Sequence, residues 1–429
     1  MDNRPVSYVA LKSVFKHIEA NKRFQISAAC PSLRKVEKTV PLTINFLSFV
    51  TPYEIQINDK IYYFGVIRDY QEGIPPCIEK RNITGGMNCD VDEWGFDITS
   101  SALSITPGDI IIGEQLDEYE EVNDDEKKRQ IEDSIERYKI KKNEDADEYN
   151  KARYDWIIGL LEASLLPYQN RENNIRRTHE CYIQLSFKSD QQEETVKIGR
   201  VPYNRKLFEA VKCFMNIIFG GRHSVVNVES MKVDCPNQII RLPEGIKFNI
   251  RHLEHLIDVE RSLNALLPVL DESCLPIKRI TTYRINAPEE NSSIRKAEEV
   301  TCRRISGMEP IDFIQSLPCL KVNYFYDEQY NDGGEALNFI KYLLEKDKRV
   351  GTTYQFGILK NIMEIFDMIE EQLKDNVTIN LDDQLLIIPM NGSKQLQISY
   401  RKNIENVFFD FDEPAFILKI EIVGKQDTE

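Results

Sequence analysis

The chain has 429 residues, of which 41% are hydrophobic and 10% are aromatic. This composition is enough for two or three domains with packed cores, and it excludes a fibre, a disulfide miniprotein and a wholly disordered chain. The 55 basic and 70 acidic residues give a net charge of -15, which disfavours nonspecific binding to nucleic acid or to anionic lipid.

The sequence predicts an intracellular protein, in the cytoplasm or the nucleus. Its N-terminus lacks the apolar core of a signal peptide, and no segment approaches the roughly 20 apolar residues that a membrane-spanning helix needs. The nine cysteines are odd in number and include no Cys-x-x-Cys pair. This pattern favours reduced, mostly buried thiols over a disulfide framework. We therefore expect neither a membrane nor a nucleic acid among its partners.

Residues 1–40 are predicted to form a short helical unit. Apolar residues recur at helical spacing over residues 8–18, and Ser7 stands where it can cap the first turn. A second short helix is predicted around Phe24. Pro31 cannot continue that helix, so a third turn should follow it.

Residues 41–113 are predicted to form a small β-rich unit with irregular loops. The segment 61–67 is rich in aromatic and β-branched residues, which are typical of strands. Pairs of proline and glycine residues separate the apolar runs and indicate turns.

Residues 114–150 hold fifteen acidic and seven basic residues. Hydrophobic residues are sparse there, so the segment is predicted to be a solvated helix or a disordered linker. The alternative is an acidic docking site for a basic partner.

Residues 151–429 are predicted to form an α/β interaction domain. It opens with an amphipathic helix that should end at Pro167, followed by a strand at 181–187 and a helix that Asn204 could cap. Further on, helical stripes alternate with strand-like runs, which predicts parallel strands joined by crossover helices. The strand-like runs are 277–283, 320–326, 377–381, 385–388 and 416–422.

A weak internal repeat supports this reading. The segments that begin at Leu275-Pro276 and at Leu317-Pro318 each end a helix-like stretch and enter a strand. We therefore expect a curved array like that of leucine-rich repeats, although the spacing is not fixed. The predicted fold class is α+β to α/β.

No residue pattern dictates a reaction. The nucleophile-elbow, phosphate-loop and dinucleotide-binding motifs are all absent. His252 and His255 lack the other residues of a metal motif, so we predict no metal, no cofactor and no enzymatic activity. Acids near Trp94, among them Asp92 and Asp97, leave a hydrolase with an acidic cleft as an alternative.

Four segments together resemble a known family. The N-terminal segment 8–33 has the short helices, the apolar stripe and the late cysteine of a divergent F-box. The segments 91–97, 203–210 and 240–248 resemble the nematode-expanded F-box C group, whose members carry a domain of unknown function after the F-box. The likeness covers most of residues 5–280.

The resemblance implies a nonenzymatic subunit that binds the Skp-type adaptor of a cullin ubiquitin ligase and presents a protein substrate. By resemblance, the adaptor-facing and internal positions of the F-box would be Leu11, Val14, Phe15, Ile18, Phe24, Ile26, Cys30 and Leu33. Tyr324, Tyr326 and Tyr354 are candidate substrate anchors, because strand tyrosines can present a rigid amphipathic surface.

A second hypothesis is an interaction or structural protein without coupling to a ubiquitin ligase. The usual Leu-Pro opening of the motif is reduced to Pro5-Val6, and the expected tryptophan near its end is missing. In this case residues 1–40 would only cap the rest of the chain. Burial of Leu11, Phe15 and Ile18 together would favour this second hypothesis.

Overall fold

The computed structural model describes most of the chain in ranges separated by short gaps. These ranges are 7–71, 73–98, 104–113, 124–189, 195–233, 238–256, 259–286, 293–306, 309–325, 333–358, 362–373, 378–380, 384–402 and 416–425. The fold is a mixture of α and β structure, and the chain divides into two compact units. Unit 1 comprises Met1–Val228 and Val233–Phe248, and unit 2 comprises Glu229–Lys232 and Asn249–Glu429.

The elements of the first part of the chain run from α1 to β10. They are α1 (Tyr8–His17), α2 (Ala20–Ala29), α3 (Pro31–Lys38), β1 (Thr43–Thr51), β2 (Glu54–Ile57), β3 (Lys60–Asp69), α4 (Pro76–Ile83), β4 (Asp90–Val91), β5 (Asp97–Ile98), β6 (Ile110–Ile112), α5 (Asp124–Glu144), α6 (Glu148–Glu172), β7 (Glu180–Ser189), β8 (Val196–Pro202), α7 (Leu207–Ile218), β9 (Val226–Val233) and β10 (Gln238–Ile240).

The three N-terminal helices lie where the apolar pattern predicts them. The Ser7 hydroxyl oxygen accepts a hydrogen bond from the backbone N–H of Ala10 at 3.2 Å, which caps α1. Pro31 both ends α2 and opens α3, because the first helical position needs no N–H donor.

Antiparallel pairing builds the sheet of unit 1. Its strands pair in the order β1-β2-β3-β7-β8, and the predicted strands at 61–67 and 181–187 are confirmed as β3 and β7. Two small antiparallel pairs, β4 with β5 and β6 with β10, lie outside this sheet. The core contains apolar strand residues such as Leu47, Phe64 and Ile183.

Two long helices form an antiparallel hairpin in unit 1. The described part of the acidic segment holds helix α5 and the first residues of α6. The two helices contact each other through ion pairs such as Arg171 with Asp124, 2.7 Å apart. The prediction that α6 ends at Pro167 is wrong, because the helix continues to Glu172. Proline removes one helical hydrogen bond there, and burial of its ring against the neighbouring turn at Gly95 offsets part of that cost.

Helix α7 also begins later than predicted. Its N-cap is Lys206 and not Asn204. The Glu209 carboxylate accepts a hydrogen bond from the Lys206 N–H at 2.8 Å, and the Asp90 carboxylate accepts one from the Leu207 N–H, also at 2.8 Å. The two carboxylates therefore accept hydrogen bonds from two amides at this helix end and interact favourably with the helix dipole.

The second part of the chain runs from β11 to β19. Its elements are β11 (Phe248–Leu256), α8 (Val259–Leu266), β12 (Arg279–Asn286), α9 (Ser293–Lys296), β13 (Glu299–Ser306), α10 (Pro310–Ser316), β14 (Lys321–Tyr324), α11 (Gly333–Glu345), β15 (Thr353–Ile358), α12 (Ile362–Gln372), β16 (Thr378–Asn380), β17 (Leu385–Pro389), β18 (Lys394–Lys402) and β19 (Phe416–Gly424).

Five strands of this part form a parallel ladder in chain order. β11, β12, β13, β14 and β15 each pair in parallel with the next, and a helix lies in every connection. The predicted alternation of parallel strands and helices is confirmed here, although β11 and β13 were not among the predicted strands. It does not extend to the end of the chain, where β16, β17, β18 and β19 pair antiparallel and β19 pairs antiparallel with β15.

The ladder has one apolar and one polar face. Leu253, Ile280, Val300, Val322 and Tyr354 occupy one row across the five strands, and all are buried. The Phe339 ring of α11 lies 4.9 Å from the Tyr354 ring, so α11 packs on this apolar face. Right-handed crossovers between strands in chain order place the connecting helices on the same side.

Candidate functional site

A buried ionic network fastens the three N-terminal helices to the rest of unit 1. Arg23 of α2 donates to the Glu37 carboxylate of α3 at 2.8 Å, and Arg222 donates to both Glu37 oxygens at 2.7 Å. The side chains of all three residues are almost fully buried. Since unpaired buried charges are costly, this network holds the helices in one position.

A second contact repeats this attachment on α2. The buried Asn21 side chain donates to the carbonyl of Ile57 at 2.8 Å and accepts from the Tyr62 hydroxyl at 2.9 Å. The helical unit therefore presents a fixed inner side to strands β2 and β3. Among the described residues of this unit, the exposed ones lie outside that inner side.

The eight residues implied by the F-box resemblance divide between these two sides. Phe15 and Phe24 are buried, and Val14 is 53% exposed. The remaining five are half-buried: Leu11, Ile18, Ile26, Cys30 and Leu33. Burial of Leu11, Phe15 and Ile18 together would have favoured a helical unit that only caps the rest of the chain. Only Phe15 is buried, so this condition is not met.

Additional apolar side chains extend the outer surface of α1. Tyr8 is 52% exposed and Val9 is 76% exposed. Val14 lies one turn from Leu11 and shares its side of the helix. We call Tyr8, Leu11 and Val14 the α1 apolar surface, since helical geometry places Val9 on the opposite side of α1. The sequence pattern included all three residues in its apolar stripe, but a helical stripe alone does not reveal which side of the helix is covered.

The candidate substrate tyrosines require a correction. Tyr324 and Tyr354 are buried on the apolar face of the ladder and contribute to the core of unit 2. Strand alternation alone did not reveal which face the helices cover, so the sequence could not assign these rings to the core. Tyr326 lies outside the described residues.

The polar face of the ladder was not predicted as a surface of interest. Asn323 donates to Glu299 at 3.0 Å and to Thr301 at 2.9 Å, and Lys321 forms an ion pair with Glu299 at 2.6 Å. These bonds cross the neighbouring strands β13 and β14. We call Arg279, Glu299, Lys321 and Asn323 the ladder polar face. The signal in the sequence was the alternation of polar residues with the apolar row.

His252 lies on the same side of the ladder. One ring nitrogen, Nε2, is 2.8 Å from the Thr281 hydroxyl, and the other, Nδ1, is 3.2 Å from the Ser230 hydroxyl and 3.1 Å from a Glu254 oxygen. Both nitrogens therefore have protein partners. Within the described ranges, no group of three or more histidine, cysteine or acidic residues has the arrangement of a metal site.

The segments that carry the family resemblance meet inside unit 1. The Tyr203 hydroxyl donates to the Asp90 carboxylate at 2.6 Å, and the Val91 N–H donates to the Tyr203 hydroxyl at 3.1 Å. Burial and the bond to Asp90 raise the pKa of Tyr203. These residues therefore form a structural junction beside the start of α7.

A second junction holds the segment 240–248. Arg241 and Lys212 each form an ion pair with Asp109 at 2.7 Å, and the Arg241 guanidinium lies over the Phe208 ring. Burial alone would raise the pKa of Asp109, but hydrogen bonds from Lys212, Thr106 and Arg241 hold that pKa below its usual range. The residues that carry the family resemblance in these segments therefore have structural roles, in packing and in ion pairs.

The acids near Trp94 do line a cavity, of about 500 Å³. Each carboxylate there is already engaged. Asp92 accepts three backbone N–H bonds at 2.7–2.9 Å, Asp97 pairs with Arg68, and Asp124 pairs with Arg171. The cavity therefore offers the hydrolase alternative no free pair of carboxylates among the described residues.

Comparison with known proteins gives one result. A family model described as a domain of unknown function (DUF3557) matches residues 206–360. The match covers about a third of the chain and includes α7 and the whole parallel ladder. Comparisons with curated proteins and with solved structures found no match. In the described part of the chain, no helix combines the length and the apolar character needed to cross a membrane.

Proposed function

We propose that this chain is a nonenzymatic protein-interaction subunit and a substrate receptor of a Skp–cullin–F-box ubiquitin ligase. Its F-box-like helices α1, α2 and α3 bind the Skp-type adaptor inside the cell. The observation that carries the proposal is the α1 apolar surface. Its exposed side chains belong to a helical unit whose inner side is fixed by buried bonds, which is the arrangement a docking surface needs.

The substrate is proposed to bind the ladder polar face. Five consecutive strands pair in parallel in chain order, which supports a curved surface like that expected from leucine-rich repeats. The charged residues Arg279, Glu299 and Lys321 are partly exposed there. A protein segment with alternating charges complements such a row, because paired charges of opposite sign set partner choice.

The adaptor proposal is tested with a change that spares the core. Val14→Asp places a charge on the α1 apolar surface, and Val350→Asp is the matched control, since Val350 is also 53% exposed. Tagged full-length protein and both variants are mixed with purified adaptor. We expect capture by the wild type and the control, and at least a tenfold weaker affinity for Val14→Asp, which matches the loss of about 1.4 kcal/mol or more.

The outcomes separate the hypotheses. Failure of the wild type to bind the adaptor overturns the ubiquitin-ligase proposal and leaves an interaction protein with a helical cap. Binding that Val14→Asp does not weaken overturns the docking surface. Circular dichroism of each variant establishes that the fold is kept.

A further inference from the structure

A second cavity in unit 1, of about 590 Å³, lies where β7 begins and β8 ends. It is lined by charged and aromatic side chains that include Glu93, Arg176, Arg177, His179, Tyr182 and Tyr203. This volume falls in the range of small-molecule sites. The cavity is separate from the α1 apolar surface, so what binds there does not depend on the adaptor proposal.

His179 is the unusual residue of this cavity. It is only 5% exposed, and neither ring nitrogen has a hydrogen-bond partner within the described residues. The ring stacks on Tyr70, with 4.5 Å between the ring centroids. Leaving buried polar atoms without partners costs roughly 1–3 kcal/mol each, so such atoms call for a partner that is bound from outside.

The charges around His179 favour a negative partner. Burial, Arg68 and Arg177 lower the pKa of His179 to about 4, so the ring is neutral at physiological pH. A neutral imidazole still donates one N–H. Arg177 is half-buried, and its guanidinium donates to the backbone carbonyl of Asp92, but it has no carboxylate partner among the described residues, so no ion pair neutralises its charge.

The acidic residues of the cavity are already occupied. Glu93 lies 3.8 Å from Arg176, and this exposed pair contributes little net charge to the rim. The Glu180 carboxylate accepts a hydrogen bond from the Tyr182 hydroxyl at 2.6 Å. The four charged side chains of the lining sum to zero, but both carboxylates are exposed, whereas Arg177 is half-buried, so the positive charge lies on the more buried side of the cavity.

We propose that this cavity binds a small oxyanion, the phosphate or carboxylate group of a small molecule, between Arg177 and His179. The Arg177 guanidinium donates to the anion, as guanidinium groups do to phosphates and carboxylates. The neutral His179 ring donates its N–H to a further oxygen. A ring nitrogen of His179 thereby gains a hydrogen-bond partner, and Arg177 gains an anionic partner beside its bond to the Asp92 carbonyl.

The proposal is tested by NMR on the full chain labelled at its histidine rings. Only five histidines are present, and a His179→Gln variant assigns the His179 signal. Inorganic phosphate and sodium acetate are titrated separately against sodium chloride at constant ionic strength. We expect a saturable shift of the His179 signal with phosphate, with acetate or with both, and the stronger of the two identifies the anion class.

Two variants decide the site. Arg177→Gln should weaken binding at least tenfold, whereas Arg153→Gln, on the exposed surface of α6, should leave it unchanged. A His179 signal that neither anion shifts overturns the proposal. Equal affinity in Arg177→Gln and the wild type also overturns it. The signals of the other four histidines show that each variant remains folded.

Discussion

Both units of this chain have an apolar core, but they differ in the contacts that join their elements around it. Unit 1 joins segments that are far apart in the sequence through buried charges, as in the network of Arg23, Glu37 and Arg222. Unit 2 joins neighbouring strands and helices through apolar side chains, as where Phe339 packs on Tyr354. Buried ion pairs are costly to break but add little net stability, whereas apolar burial supplies the stability itself.

This difference predicts how substitutions should change the stability of each unit. In unit 1 a single change can leave several charges without partners. In unit 2 the cost of a change should follow the apolar volume that it removes. The predictions below test this contrast, beginning with the largest expected effect.

Glu37→Ala should destabilise the protein by at least about 4 kcal/mol, because it leaves two buried guanidinium groups without their carboxylate. The measurement is chemical denaturation, with hydrogen exchange used to locate the loss of protection in α1, α2 and α3. The control is Glu136→Ala on the exposed surface of α5. A loss below about 1 kcal/mol for Glu37→Ala would contradict the role of the network.

Phe339→Ala should cost about 3 kcal/mol, because the ring is fully buried and contacts Tyr354 and Phe356. Hydrogen exchange should show lost protection in β15 and α11, with no change in α1 to α3. If protection fell first in the N-terminal helices, the contrast between the two units would be wrong.

His179→Gln should change how stability depends on pH. The unfolded ring has a pKa of 6.5 and the folded ring one of about 4. Between these values the unfolded chain binds a proton that the folded chain does not, so His179 lowers stability as the pH falls from 6.5 to about 4. The variant should lose this contribution, on the order of 2 kcal/mol.

The measurement compares unfolding of the wild type and His179→Gln at pH 7 and at pH 4, in a buffer without phosphate. The difference in stability between the two proteins should shift in favour of the variant at the lower pH. An unchanged difference would show that His179 titrates normally in the folded chain.

Lys321→Ala should have the smallest effect, below about 1 kcal/mol, because its ion pair with Glu299 is partly exposed. Thermal unfolding at low and high salt measures it. A large loss would show that the ladder polar face stabilises unit 2 as the buried network stabilises unit 1.

Much of the fold followed from local sequence patterns. The helices at the N-terminus and the strands β3, β7, β12 and β14 lay near the predicted places, because helical and alternating periodicities reflect neighbours along the chain. The same patterns predicted parallel strands joined by helices, but they missed β11 and β13, so the full order of the ladder did not follow from them.

The candidate sites were harder to predict. Arg177 and His179 carry no motif, and their meeting with Tyr203 depends on the pairing of β7 with β8. Tyr354 lies in a strand whose sequence pattern would equally fit an exposed position, but its ring is buried beneath α11. Sequence periodicity shows which residues of a strand share a face, but it does not show which face is covered by a helix.

The pairing of β15 with β19 has a consequence for the integrity of the ladder. All six residues of β15 are matched by β19, from Thr353 with Glu421 to Ile358 with Phe416. A stack of parallel strands ends in an open edge that can recruit another chain, and repeat arrays need a terminal cap for this reason. The final antiparallel strands act as that cap, so a chain truncated after β15 should self-associate.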